Sequence, residues 1–174
     1  MALHDGFARM LNHARRDEYR GGDPMKKEHP FIRQAQMQDL DRIAEIEVLN
    51  YRLNFYPIFR NDAYYFDELR VEPLAKAYLP QLDQLWVYDD GVVKAFAMVQ
   101  GNELMKLFTE PVLQGQGIGA RLLSFALDEL GVSQLWALEK NPRAIAFYQR
   151  HGFCLTADKR LEEDTTEYLV RLER

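Results

Sequence analysis

The sequence predicts an α/β (α+β mixed sheet) domain, in which a mostly antiparallel sheet with a central βαβ crossover carries helices on both faces. Three observations predict it: an Asp-Gly turn between two β-rich runs, a 3.6-residue apolar period ahead of that hairpin, and a helix-strand-helix series behind it. The chain has 174 residues, enough for one domain of this kind, and 47% apolar with 28% charged residues place it among ordinary globular proteins.

Residues 31–35 read as a short strand. Leu40, Ile43, Ile46, Leu49 and Leu53 then recur at intervals of three and four, the stripe of an amphipathic helix that turns all five toward a core. A second helix is expected over 62–78. Leu85-Trp86-Val87-Tyr88 is a strand stopped by Asp89-Asp90-Gly91, residues 92–99 are its hairpin partner, and Gln100-Gly101-Asn102 turns the chain into a third strand over 103–109. A helix over 117–130, a strand over 134–138, a helix over 142–150 and closing strands near 153–156 and 167–172 complete the series. The domain is expected to span 29–174. Residues 1–28 read as an appendage, a short helix over 2–19 followed by the breaker cluster Gly21-Gly22-Asp23-Pro24.

Charge and cysteine content narrow the partners. With 22 basic and 27 acidic residues the net charge is −5, which argues against nucleic-acid or anionic-membrane binding. A single cysteine, Cys154, excludes an intrachain disulfide and a multi-thiolate metal site; it is expected to pack in the core of a protein kept in a reducing, cytoplasmic compartment. The first twenty residues lack an apolar signal region, and no apolar run reaches membrane-spanning length. A monomer or homodimer with no bound metal is the expectation.

The first chemical signal is the loop Gln114-Gly115-Gln116-Gly117-Ile118-Gly119-Ala120 ahead of a helix. Alternate glycines let the backbone approach a ligand, and unpaired N–H groups at a helix start attract anions, phosphate above all. A Walker A loop is excluded, since the required Lys and hydroxyl are missing. Gly115-x-Gly117-x-x-Ala120 also fits a relaxed dinucleotide-binding fingerprint, with Glu139 where a ribose-binding acid belongs. Five residues separate the loop from its strand, however, and the 54 residues after Ala120 are too few for the strands such a fold adds. A glycine turn that binds nothing remains a third reading. The second signal is Asn141-Pro142-Arg143-Ala144-Ile145-Ala146-Phe147-Tyr148, ending in His151-Gly152-Phe153: an N-cap, a proline suited to the first helical position and a glycine suited to the C-terminal stop.

Together, Gln114-x-x-Gly117-x-Gly119-Ala120 and Asn141-x-x-Ala144-x-x-Phe147-Tyr148-x-x-x-Gly152-Phe153 resemble the GNAT superfamily of acyl-CoA-dependent N-acyltransferases, over about residues 31–172. The resemblance implies a GNAT-like fold and acetyl-CoA as co-substrate with an amine acceptor. It puts the coenzyme's diphosphate on the amides of Gly115, Gln116, Gly117, Ile118, Gly119 and Ala120, beside Gln114, with Arg121 as an added positive charge. Pantetheine would pair with Leu107, Phe108 and Thr109 where two strands part beside an edge opened by Pro111, and Asn141 and Phe147 would complete the coenzyme site. Tyr148 takes the general-acid position, and a phenol with an ordinary pKa near 10 keeps its proton at pH 7. Glu103, eleven residues before Gln114, is the candidate base, against the alternatives of a water chain or a merely exposed carboxylate. His151 is expected to serve the helix dipole. Most of the aromatic stretch from Tyr51 to Phe66 is expected to pack the core and helices, while the resemblance implies that part of it walls the acceptor pocket; Arg52 and Arg60 are expected to be solvated, or else to meet an acceptor carboxylate. Two rivals stay open: a non-catalytic acyl-CoA sensor and an NAD(P)-dependent oxidoreductase.

Overall fold

A computed structural model describes residues 29–174, so the expected appendage over 1–28 lies outside the described residues. Seven strands form one sheet in the order β1-β2-β3-β4-β5-β7-β6. They are β1 (Ile32–Gln34), β2 (Leu85–Asp89), β3 (Val93–Gln100), β4 (Glu103–Thr109), β5 (Gln134–Leu138), β6 (Cys154–Leu161) and β7 (Tyr168–Glu173). Every neighbouring pair is antiparallel except β4 with β5, the mixed sheet expected from the sequence. That parallel step is joined by helix α4 (Ile118–Glu129), as a crossover requires.

Strand β3 is buried on both faces and separates two cores. Ala95, Ala97 and Val99 face α4, whose Leu122, Leu123 and Ala126 meet Leu135, Phe153 and Leu172. Phe96 and Met98 face the other way, against helices α1 (Leu40–Asn50) and α3 (Val71–Tyr78), through Ile43, Ala44, Ile46, Ala75 and Tyr78. Between these helices lie a π-helical turn over Tyr51–Phe55, the short helix α2 (Tyr56–Phe59) and a second π-helical turn over Ala63–Glu68.

Four expectations change. The first helix buries Leu40, Ile43 and Ile46, but Leu49 and Leu53 are exposed; the buried face runs instead through Glu47 and Asn50, and the π-helical turn rotates Leu53 away from it. The helix expected over 62–78 breaks at Leu69 and Arg70, which are extended. Pro73 is the reason: inside a continuous helix it would lose a hydrogen bond and clash with the Leu69 carbonyl, whereas here it falls in the first turn of α3. Cys154 is exposed, because Phe153 takes the inward position and its neighbour on the strand points outward. Pro111 opens no sheet edge; it starts a 3₁₀ turn over Pro111–Leu113 beyond the end of β4. Among the described residues, no helix is long and apolar enough to cross a membrane.

At the β1 edge the Arg33 guanidinium bonds Asp39 at 2.7 and 3.0 Å and Asp89 at 2.7 Å, and holds the nearly buried Asp39 carboxyl below its ordinary range. A depressed folded pKa stabilises above the unfolded value of 3.8 and loses that contribution as pH falls through the folded value. Melting of Asp39→Asn is therefore expected below that of the parent at pH 7, with the gap closing in acid. Phe153→Ala, at a site 1% exposed, is expected to cost about 3–5 kcal/mol by urea unfolding.

Candidate active site

The site begins where β4 and β5 part. They pair only at Glu103 with Gln134 and at Leu104 with Leu135. On the other side of β4, Leu104 pairs with Val99 and Lys106 with Met98, so Met105 is an extra residue, a bulge one step beyond the last contact with β5. From there β4 stays with β3 through Thr109 and β5 stays with β7 through Leu138, leaving two facing edges unpaired. The gap opens into a cleft of about 590 Å³ that passes through the sheet. Ile118, Phe147 and Tyr148 line it from the α4 face, and Asn50, Tyr51, Lys106 and Phe108 from the α1 face.

At one end the cleft meets the glycine loop. Gly115 and Gly117 have φ of +82° and +81°, conformations that disfavour any side chain, and Gly117 is the N-cap of α4. Arg121 N–H is the first in the loop to bond back, to the Gly117 carbonyl at 3.0 Å; the amides from Gly115 to Ala120 have no partner among the described residues. Gly119 is required for contact, since a Cβ there would lie 3.2 Å from Thr109 Oγ1 and 4.0 Å from Phe147 Cζ. The result is a concave array of donors at the positive end of a helix.

Buried Asn50 fixes this loop to the strand. It is 1% exposed; its amide donates to the Thr109 carbonyl at 3.0 Å and its Oδ1 accepts from Gln114 Nε2, also at 3.0 Å. Arg42 holds the loop's entry by bonding Glu110 at 2.6 Å and the Val93 carbonyl at 3.1 Å. Behind the α1 face of the cleft, Glu47 is 2% exposed and accepts from Lys106 Nζ at 2.6 Å and from the Tyr78 hydroxyl, while Lys106 also reaches that hydroxyl at 2.9 Å.

Helix α5 (Pro142–Arg150) supplies the opposite wall. Asn141 caps it by accepting from the Ala144 amide at 3.1 Å, and Gly152, at φ +90°, closes it with bonds from Phe153 N to the Tyr148 carbonyl and from Gly152 N to that of Gln149. The Tyr148 ring packs on Phe147 and Phe153 with centroids 5.2 and 5.9 Å away. Its hydroxyl makes no hydrogen bond among the described residues, and burial raises its pKa well above the ordinary value.

Of the residues the sequence singles out, Glu103, Leu107, Phe108, Thr109, Gln114, Gly115, Gly117, Ile118, Gly119, Ala120, Asn141, Phe147 and Tyr148 line this one cleft. Gln116 and Arg121 do not. Glu103 stands at the first of the two paired steps of β4 and β5, its Oε2 3.4 Å from Gln134 Nε2. His151 donates from Nδ1 to the Phe147 carbonyl at 2.8 Å, a helix-end contact. Tyr51, Phe55 and Phe59 line the cleft, but Arg52 and Arg60 do not; Arg52 braces the π-helical turns by bonding the carbonyls of Tyr65 and Leu69. The sequence reading missed Asn50, Glu47 and Lys106, whose only signal was a polar residue on the buried face of α1 or in a strand. No cluster of metal-ligating side chains exists among the described residues.

Residues 81–154 match the family model described as "Acetyltransferase (GNAT) domain". The chain is 30% identical over 107 residues to a peptidyl-lysine N-acetyltransferase, YjaB, of Salmonella typhimurium, covering 60% of this chain and 71% of that protein. It is 31% identical over 126 residues to the peptidyl-lysine N-acetyltransferase YiaC of Escherichia coli, covering 71% and 82%. Among solved structures, the apo form of Escherichia coli YjaB superposes with a TM-score of 0.64 at 21% identity, covering 82% of this chain and 95% of that one. The PaiA N-acetyltransferase of Thermoplasma acidophilum, solved with coenzyme A, gives 0.65 at 18% identity, covering 82% and 98%. The chain belongs to the GNAT acetyltransferases. A sheet with a single parallel step is also not the parallel array that the dinucleotide-binding alternative needs.

Asn50→Ala would strip the Thr109 carbonyl and Gln114 of a buried partner. The expected loss is about 1–3 kcal/mol in urea unfolding, with faster amide exchange confined first to the glycine loop.

Proposed function

We propose that the protein transfers an acetyl group from acetyl-CoA to a primary amine, the side-chain amine of a peptidyl lysine, by direct attack. One observation carries the reading: an unpaired strand edge, a concave set of free amides and an unpartnered phenol line the same cleft. The lysine acceptor is supported by the relatives named for that activity.

The residues fit the coenzyme by the chemistry of their donors. Amides of Gly115 to Ala120 would hold the diphosphate, and the free edge at Leu107, Phe108 and Thr109 offers a strand-like partner for the pantetheine amides, with Asn141 and Phe147 beside it. Bound there, acetyl-CoA supplies an activated thioester carbonyl. Tyr148 donates its proton to the sulfur that departs as the C–S bond breaks and the C–N bond forms. The tyrosinate then recovers a proton that the nitrogen sheds, so atoms and charge balance. Glu103, or water ordered near it, accepts the proton that the arriving ammonium must first lose. Aromatic side chains Tyr51, Phe55 and Phe108 pack on one another, with centroids 4.8 to 6.3 Å apart, and would sheathe the aliphatic arm of the acceptor. Much of the acceleration would come from holding amine and carbonyl together. This enzymatic unit is residues 29–174, with 1–28 as an appendage.

Tyr148→Phe is expected to keep acetyl-CoA affinity by calorimetry while kcat falls by about 10²–10⁴-fold. Unchanged kcat would remove Tyr148 from the chemistry. Glu103→Gln is expected to displace the acid limb of the kcat/KM profile, and a profile identical to the parent's would make Glu103 structural.

A further inference from the structure

Lys106, Glu47 and Tyr78 form a charged cluster that neither the coenzyme nor the general acid uses. Lys106 follows the Met105 bulge and lies two residues beyond Leu104, the last residue that β4 pairs with β5. It therefore stands where the cleft crosses the sheet. Because the bulge resets the alternation, Leu107 and Thr109 face α4 and α5, whereas Lys106 and Phe108 face α1. Tyr148 approaches from the first side and Lys106 from the second. Glu47 is 2% exposed behind the lysine, while the Lys106 side chain keeps 27% exposure and lines the cleft. The ion pair thus presents its positive end to the passage.

Stability alone is a poor reason for this arrangement, since apolar residues of similar volume serve as well as a buried ion pair. The charge has a chemical use. An amine arrives largely as ammonium and reacts only when neutral, and a nearby cation disfavours its charged form. Resting on the reading of the cleft as an amine acetylation site, we propose that Lys106, anchored by Glu47 and Tyr78, is a positioning residue whose charge keeps the acceptor amine deprotonated. Other charged or titratable groups lining the cleft are Tyr51 on the α1 side, Glu103 on β4, Arg143, Arg150 and Tyr148 on α5, and Arg160 and Glu162 beyond β7, with Tyr64 close to Glu47; Tyr51, Tyr64 and Tyr78 have raised pKa values and stay neutral, so Lys106 is the cation that the α1 face of the cleft contributes.

The test compares the parent with Lys106→Met, Lys106→Arg and the double variant Glu47→Gln with Lys106→Met, which leaves no unpaired buried carboxylate. Acetyl-CoA binding is measured by calorimetry, and kcat/KM for a lysine peptide is followed from about pH 6 to 10, spanning the ordinary range of an amine's acid limb. Binding of the same peptide to the CoA-loaded protein, in two buffers of different ionisation enthalpy, counts the protons released without turnover. The double variant is expected to bind acetyl-CoA normally, to release fewer protons on peptide binding, and to show an acid limb about one pH unit higher. Its kcat/KM is then about tenfold lower near neutrality and converges on the parent's in base. Lys106→Met shifts further in the same direction, and Lys106→Arg returns the limb to its place. Normal acetyl-CoA binding with coincident limbs, or with a loss equal at every pH, overturns the role of Lys106 alone. Failure of the parent to bind acetyl-CoA overturns the acetyltransferase site and this role with it.

Discussion

The parting of β4 from β5 is the constraint on which the rest of the structure depends. Two residue pairs hold the strands together, and the Met105 bulge turns β4 away before a third pair forms. Leaving two edges open in the middle of a sheet forgoes several ladder bonds, a cost the fold offsets by keeping the outer partner of each strand, β3 and β7, fully engaged. The gap is built into the registers of β3, β4, β5 and β7, and it is what makes one sheet accessible from both faces at the same point.

Around the gap, buried polar groups do what apolar packing cannot. Asn50, 64 residues before Gln114 in the chain, ties that residue to the end of β4, so the glycine loop starts from a defined height above the strand. Gly119 lets α4 approach Thr109 and Phe147 closely enough that the free amides and α5 share one cleft. Glu47 and Lys106 lie 59 residues apart and meet only because α1 crosses the bulged strand. Each contact is satisfied on both sides, which is why buried charge and amide groups are tolerated here.

Local chemistry explains how much of this was legible in the sequence. The strands, the capped helix at Asn141 and the glycine loop announce themselves through short-range signals, and those residues do gather in one cleft. The gap itself is not local: an extra residue in β4 is visible only against the register of β3, so Pro111 looked like the cause. Asn50, Glu47 and Lys106 read as ordinary polar positions because their partners are remote in sequence. Leu53 and the break at Leu69 escaped for a related reason. A regular 3.6-residue period does not register a π-helical turn, nor a proline four residues downstream that forbids the helix from continuing.

The central claim is that the open edge of β4 and the free amides before α4 form one coenzyme site. Amide hydrogen exchange, read residue by residue with and without acetyl-CoA, tests it most directly. Slowed exchange concentrated at Leu107 to Thr109 and Gly115 to Ala120, with the remaining strands unchanged, is the result this account predicts. Protection elsewhere, with those amides exchanging as in the free protein, would contradict it.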